Sequence, residues 1–185
     1  LTVLKKMRER FPRESFIYLG DTARIPYGNK SSRTITKYLQ NTLDFFADRK
    51  IKALVIACNS ASSVMSEVKT DIPLYGVIRP GAALAAQTTS DGRIGVIATR
   101  ATVANKAYVT ELEKIKPGLK IYQQACPLLV PLVEEGWDDD PITNLIVYRY
   151  LSPLLAAQID TLILGCTHYP ILKNIIAKVA GPNVT

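Results

Sequence analysis

The chain has 185 residues, 48% hydrophobic and 21% charged, with a formal net charge of +7. That length and balance fit a soluble globular protein of one large domain or two small lobes, able to bury a real core. No apolar run reaches bilayer-spanning length, which excludes a transmembrane helix, and the start, LTVLKKMRERFP, lacks the basic, apolar and small-residue order of a signal peptide.

A cytoplasmic location is therefore the default expectation. The basic residues are scattered among acids apart from one cluster, LKKMRER, and no zinc-finger or RNA-binding signature accompanies them. A solvated basic surface outranks a nucleic-acid groove.

In chain order, LTVLKKMRERFP reads as a helix with no strand ahead of it. Parallel α/β folds put a strand before their first helix, so an N-terminal strand is expected to be missing, and the abrupt end at GPNVT carries the same expectation for a tail. SFIYLGD (15–21), ALVIACN (53–59), LYGVI (74–78), RIGVIAT (93–99), LKIYQQA (119–125) and DTLILGC (160–166) read as strands. Several are apolar on both faces, as in a parallel sheet covered by helices. Helical periodicity fills the intervals, over roughly 31–48, 60–69, 81–89, 102–115, 128–136, 141–158 and 170–180. This alternation predicts an α/β fold.

GVIRPGAALAA (76–86) reads as a strand end followed by a Pro-Gly helix start. It places a lobe boundary near Arg79–Gly81 and divides the chain into lobes 1–79 and 80–185. In GWDDDP (136–141), Asp140 is positioned to cap a helix whose first residue is Pro141, and Trp137 is expected to cap a helix end. Each lobe contains a strand–Cys–polar–helix unit, a weak internal echo.

Those units carry the chemistry. The three cysteines, at 58, 126 and 166, form no CxxC or metal-ligand spacing, and a single histidine makes a structural zinc site a poor reading. No metal is expected, and the thiols are expected to be reduced. VIACNSAS (55–62) and ILGCTHYP (163–170) each set a thiol where an apolar strand stops, with small hydrogen-bonding residues beside it. Ligands of open α/β sheets bind beyond the carboxyl ends of strands, where helix N-termini also point. Unpaired N–H groups there favour thiolate, so a thiol pKa near 8.5 is expected to fall. The same N–H groups, with the Ser60 and Thr167 hydroxyls, suit a carboxylate ligand.

Singly, each cysteine is more readily a buried small residue. As a pair, Cys58 and Cys166 suit removal of a proton from one face of a carbon and its return to the other, one starting as thiolate and one as thiol. Cys126, before Pro127 at a strand end, reads as structural.

YLGDTARIPYG (18–28), VIACNSAS (55–62), GVIRPGA (76–82), CPLLVPLVEEG (126–136) and LILGCTHYPIL (162–172) together closely resemble bacterial glutamate racemase, in matching order and nearly end to end. The resemblance implies two pseudo-symmetric α/β lobes with the active site in the cleft between them. It implies a cofactor-independent interconversion of L- and D-glutamate that supplies D-glutamate for peptidoglycan, with no cofactor, glutamate as the small-molecule partner and a homodimer as the assembly. The catalytic pair would be Cys58 and Cys166, Cys166 acting on L-glutamate and Cys58 on D-glutamate. Tyr27, Gly28, Asn59, Ser60, Thr167 and His168 match substrate-binding positions, and Thr102 adds a hydroxyl. His168 would also support Cys166, and Glu134 resembles an acidic residue near that half of the site.

This residue set agrees with the chemistry, because the charge developing at Cα needs preorganised donors. Two departures stand out. The family's Asp-Ser-Gly strand has no counterpart ahead of LTVL, and ACNS stands where Asn-Thr usually follows the cysteine, keeping the hydroxyl and losing a methyl.

For Asp21 and Arg24 a mutual ion pair is at least as good a reading as a place at the cleft mouth. Three alternatives remain at this stage. One is a relative acting on aspartate, hydantoins or malonates, some of which use one cysteine. Another is a non-catalytic two-lobed protein that binds an acidic metabolite. The third, thiol–disulfide exchange, lacks a close CxxC pair.

Overall fold

The computed structural model of the protein describes residues 2–185; Leu1, which opens the first expected helix and lobe, lies outside the described residues. Helix α1 (Thr2–Arg10) is followed by irregular backbone through the expected strand at 15–21. That strand is a correction. A strand needs a neighbour for its N–H and C=O groups, and among the described residues none pairs with this segment, leaving Ile17 and Tyr18 exposed.

Helix α2 (Ser32–Ala47) agrees with its sequence signal. Ser31 accepts the Thr34 N–H at 3.2 Å, and Ile35, Leu39, Leu43 and Phe46 form a buried stripe at helical spacing. Strand β1 (Leu54–Ile56), the short helix α3 (Asn59–Ser62) and strand β2 (Leu74–Gly76) follow. β1 and β2 pair in parallel with Leu54 opposite Leu74.

The remaining elements are α4 (Ile78–Thr88), β3 (Arg93–Ala98), α5 (Arg100–Ala104), α6 (Ala107–Ile115), β4 (Lys120–Ala125), α7 (Leu129–Glu134), α8 (Pro141–Ala156), β5 (Thr161–Gly165) and, after a 3-10 turn at Tyr169–Leu172, α9 (Lys173–Ala180). Strands β4, β3 and β5 make a second parallel sheet in that order, with Ile94 opposite both Ile121 and Thr161.

Period-two alternation sets the two faces of this sheet. Ile94, Val96 and Ala98 pack with Ile78, Ala82, Ala85 and Leu112 from α4 and α6. Ile97 points the other way, into Leu129, Val147, Leu151, Leu172 and Ile176. Burying each such side chain fully is worth roughly 1.5–3 kcal/mol. The first sheet is covered differently: Ile56 packs on Ile35 and Leu39 of α2, whereas Val55 and its partner Tyr75 remain exposed.

Four helices differ from their expected spans, the one expected over 170–180 opening as the 3-10 turn at Tyr169–Leu172. The 60–69 segment splits into α3 and a 3-10 turn at Met65–Glu67. Here Ser62 donates to the Ile56 carbonyl at 2.9 Å and Ser63 to the Ser60 carbonyl at 2.8 Å, local bonds that compete with helix propagation. The 102–115 segment breaks at Lys106, whose φ of 50° is left-handed. α4 begins at Ile78 rather than near 81 because Pro80 lies in the first turn, where a missing N–H leaves no bond unmade. Asp140 caps α8 as expected, accepting the Ile142 N–H at 2.7 Å. The Trp137 N–H closes α7 on the Leu132 carbonyl at 2.8 Å.

Candidate active site

Both singled-out cysteines sit just past the carboxyl ends of parallel strands. Cys58 follows β1 and caps α3 with extended backbone, φ −76° and ψ 127°. Its sulfur is approached by the backbone N–H groups of Ala61 and Ser60 and by the Ser60 hydroxyl. Cys166 follows β5, is buried, and is ringed by the N–H groups of His168, Tyr169 and Thr167.

Their acidity corrects the sequence expectation. Burial pushes the Cys58 thiol up, and it pushes Cys166 up to about 11, because losing hydration costs a thiolate more than these N–H groups return. A charge on Cys58 raises Cys166 further, which puts thiols from two different sheets in one electrostatic neighbourhood.

A cavity of about 370 Å³ opens onto Cys166, Thr167, Asn59, Ala57, Gly81 and Tyr108. Cys58 is not among its lining residues; it packs instead against the core around Ile56 and Ala61. Next to it the hydroxyls form a buried cluster. Ser60 Oγ lies 2.8 Å from Thr99 Oγ1 and 3.4 Å from Thr102 Oγ1, and the two threonine oxygens are 3.1 Å apart. Thr102 is thus brought to Ser60, and it does not line the cavity.

Gly28 presses on the same cluster: a Cβ there would stand 2.5 Å from Thr99 Cβ, so only glycine permits this approach. The Tyr27 hydroxyl donates to Asp21, and Asp21 pairs with Arg24 at 2.7 Å, so the ion-pair reading of these two residues holds. Burial and then the Asp21 hydrogen bond raise the Tyr27 phenol well above its usual range.

On the Cys166 side, three groups form a chain. Glu134, at the end of α7, lies 2.5 Å from His168 Nε2, and His168 Nδ1 stands 3.8 Å from Cys166 Sγ. A carboxylate accepting from Nε2–H leaves Nδ1 as the unprotonated nitrogen facing the thiol. That geometry suits passing the thiol proton to the imidazole. Cys126 is fully buried and donates weakly to the Gln124 carbonyl at 3.5 Å, in keeping with a structural role.

Two residues at the site were not singled out from the sequence. Thr99 follows β3 at its carboxyl end, so the rule that selected the two cysteines would also have found it. Tyr108 donates to Asn59 Oδ1 at 2.8 Å, a contact across 49 positions that no local pattern signals.

The fold and site together define an α/β protein with parallel sheets flanked by helices and a thiol beyond a strand end in each sheet. The chain belongs to the Asp/Glu/Hydantoin racemase family, whose model matches residues 2–185. It is 48% identical over 187 residues to a glutamate racemase of Geobacter metallireducens, covering 100% of this chain and 69% of that protein. Among solved structures, a glutamate racemase isoform from Bacillus anthracis superposes with a TM-score of 0.93 at 39% identity, covering 100% of this chain and 70% of the other. The Francisella tularensis glutamate racemase in complex with D-glutamate gives 0.89 at 41% identity, covering 96% and 68%.

Proposed function

We propose that the protein is a glutamate racemase, an isomerase that interconverts L- and D-glutamate by proton transfer at Cα between two thiols and without a cofactor. The observation that carries this reading is the pair itself: Cys58 and Cys166 come from different sheets, each in a turn of N–H donors, and a charge on Cys58 is felt at Cys166. Family membership and the named relatives point to the same reaction. The pair also argues against a one-cysteine relative and a binding-only protein.

In the L-to-D direction, the Cys166 thiol first passes its proton to His168 Nδ1, while Glu134 holds the opposite edge of the ring. The resulting thiolate removes the Cα proton, leaving the electron pair delocalised into the carboxylate. Cys58, still a thiol, delivers its own proton to the opposite face and becomes the thiolate; it then regains a proton from solvent as the His168 imidazolium gives one up, which restores both thiols. D-to-L turnover runs the same steps backwards from Cys58. Donors near the developing charge lower the barrier, and Asn59, Ser60, Thr167 and the turn N–H groups supply them. Tyr27 and Gly28 shape the wall by Thr99, and Thr102 fixes the Ser60 hydroxyl.

The lobes of this reading are 1–79 and 80–185, with the substrate between them, the protein a cytoplasmic homodimer, and the D-glutamate destined for peptidoglycan. The test is a pair of single substitutions. Cys58→Ala and Cys166→Ala should each stop racemisation while leaving the fold intact by circular dichroism; substantial turnover by either variant would overturn the two-thiol mechanism.

A further inference from the structure

Tyr108 lies outside every motif discussed above, yet it touches both cysteine loops. Its ring, 3% exposed, is held between two glycines: a Cβ on Gly81 would meet the Tyr108 oxygen at 3.3 Å, and a Cβ on Gly165, the residue before Cys166, would meet its Cε2 at 3.1 Å. Its hydroxyl crosses from α6 to the other loop and donates to Asn59 Oδ1 at 2.8 Å. Asn59 adjoins Cys58 and, like Tyr108, borders the cavity that opens on Cys166.

An amide has one acceptor end and one donor end. With Oδ1 occupied by the phenol, the end of Asn59 left for a ligand is its NH2. We infer that Tyr108 is a positioning residue which locks the Asn59 amide with its NH2 group available to the substrate, so that the site presents a donor to a carboxylate rather than an acceptor. This inference rests on the racemase reading of the site. A free amide would rotate and offer either end, and each rotamer with the oxygen inward would repel an anionic ligand.

The two enantiomers have equal free energy, so any variant must lose kcat/KM equally in both directions. The discriminating readouts are therefore the split between KM and kcat, and the coupling between Tyr108 and Asn59. Tyr108→Phe keeps the ring between the glycines and removes only the hydroxyl. It should lower kcat/KM for both enantiomers roughly two- to tenfold, the range set by one net hydrogen bond, with at least part of the loss in KM. In an Asn59→Ala background the same substitution should add no further loss. Asn59→Asp, which keeps an acceptor for the phenol and replaces the NH2 with an oxygen, should raise KM more than Tyr108→Phe does.

Equal losses from Tyr108→Phe with and without Asn59 would show that the ring acts through packing and would overturn the inference. So would a wild-type KM in Tyr108→Phe or in Asn59→Asp. Absence of racemisation by the wild-type protein, measured in the same assay, would instead sink the underlying functional reading.

Discussion

Replacing Glu134 by glutamine tests how the Cys166 thiol is relieved of its proton. In the native site, Glu134 Oε1 lies 2.5 Å from His168 Nε2, and Nδ1 faces Sγ at 3.8 Å. Glutamine keeps the shape but removes the charge, and its NH2 can donate to Nε2. That would move the ring proton to Nδ1 and turn a donor towards the thiol. A hydrogen bond to a charged group is worth about 1.5–3 kcal/mol when sheltered. Here the His168 and Glu134 side chains are 30% and 52% exposed, so solvent screening reduces the expected cost to about 1 kcal/mol.

That corresponds to a roughly fivefold fall in kcat/KM, from either enantiomer. A coupled polarimetric assay measures it, with thermal melting run alongside. The melting temperature should change little, because Glu134 contributes a surface contact and not core packing. An unchanged kcat/KM in Glu134→Gln and in Glu134→Ala would refute the relay, and a loss that tracks a lowered melting temperature would make Glu134 merely structural.

Further predictions concern burial and close approach. With its pKa pushed up to about 11, Cys166 without ligand should be alkylated by iodoacetamide with a pH midpoint near that value; a midpoint below pH 8 would contradict the dominance of burial. The neutral thiol is the form the fold favours, so its stabilisation is fully present below the unfolded thiol pKa of about 8.5 and is lost as pH rises towards 11, which alkaline melting curves should register.

Gly28→Ala forces a Cβ to within 2.5 Å of Thr99 Cβ and should destabilise the protein by about 1–3 kcal/mol while weakening turnover through the Thr99–Ser60 contact; a neutral melting temperature would refute this crowding. Burial alone would raise the Asp160 carboxyl, but hydrogen bonds from the Thr89 hydroxyl, at 2.7 and 2.8 Å, and from the Asp91 N–H hold it below the usual range. Its stabilisation is present above about pH 3.9 and fades as pH falls through the lower folded value, so Asp160→Asn should melt earlier at neutral pH and flatten the acid limb.

Legibility in the sequence followed how local each signal was. α2 could be read almost to the residue because its cap, Ser31, and its stripe from Ile35 to Phe46 lie within the segment itself. The strand expected at 15–21 could not be judged that way, since Phe16, Ile17 and Tyr18 become a strand only if another strand pairs with them. The breaks at Ser63 and Lys106 came from side-chain-to-backbone bonds and one left-handed residue, neither of which alters hydrophobic periodicity.

At the site, the strand-end rule located both cysteines, and it would have located Thr99. It could not foresee their acidity, which depends on how deeply the finished fold buries them. Tyr108 was hidden for a different reason. A tyrosine on an amphipathic helix reads as core, and it is core, except for a hydroxyl that reaches Asn59 in the loop after β1.

The central claim is that two different thiols hold the proton lost and the proton gained. Early turnover of each glutamate enantiomer in deuterated water, followed by mass spectrometry of both enantiomers, tests it most directly. The account predicts that the newly formed enantiomer carries solvent deuterium at Cα while the unconverted one keeps its protium, in both directions and without added cofactor. Product that retains its original Cα hydrogen, or starting enantiomer that exchanges as fast as product forms, would contradict it.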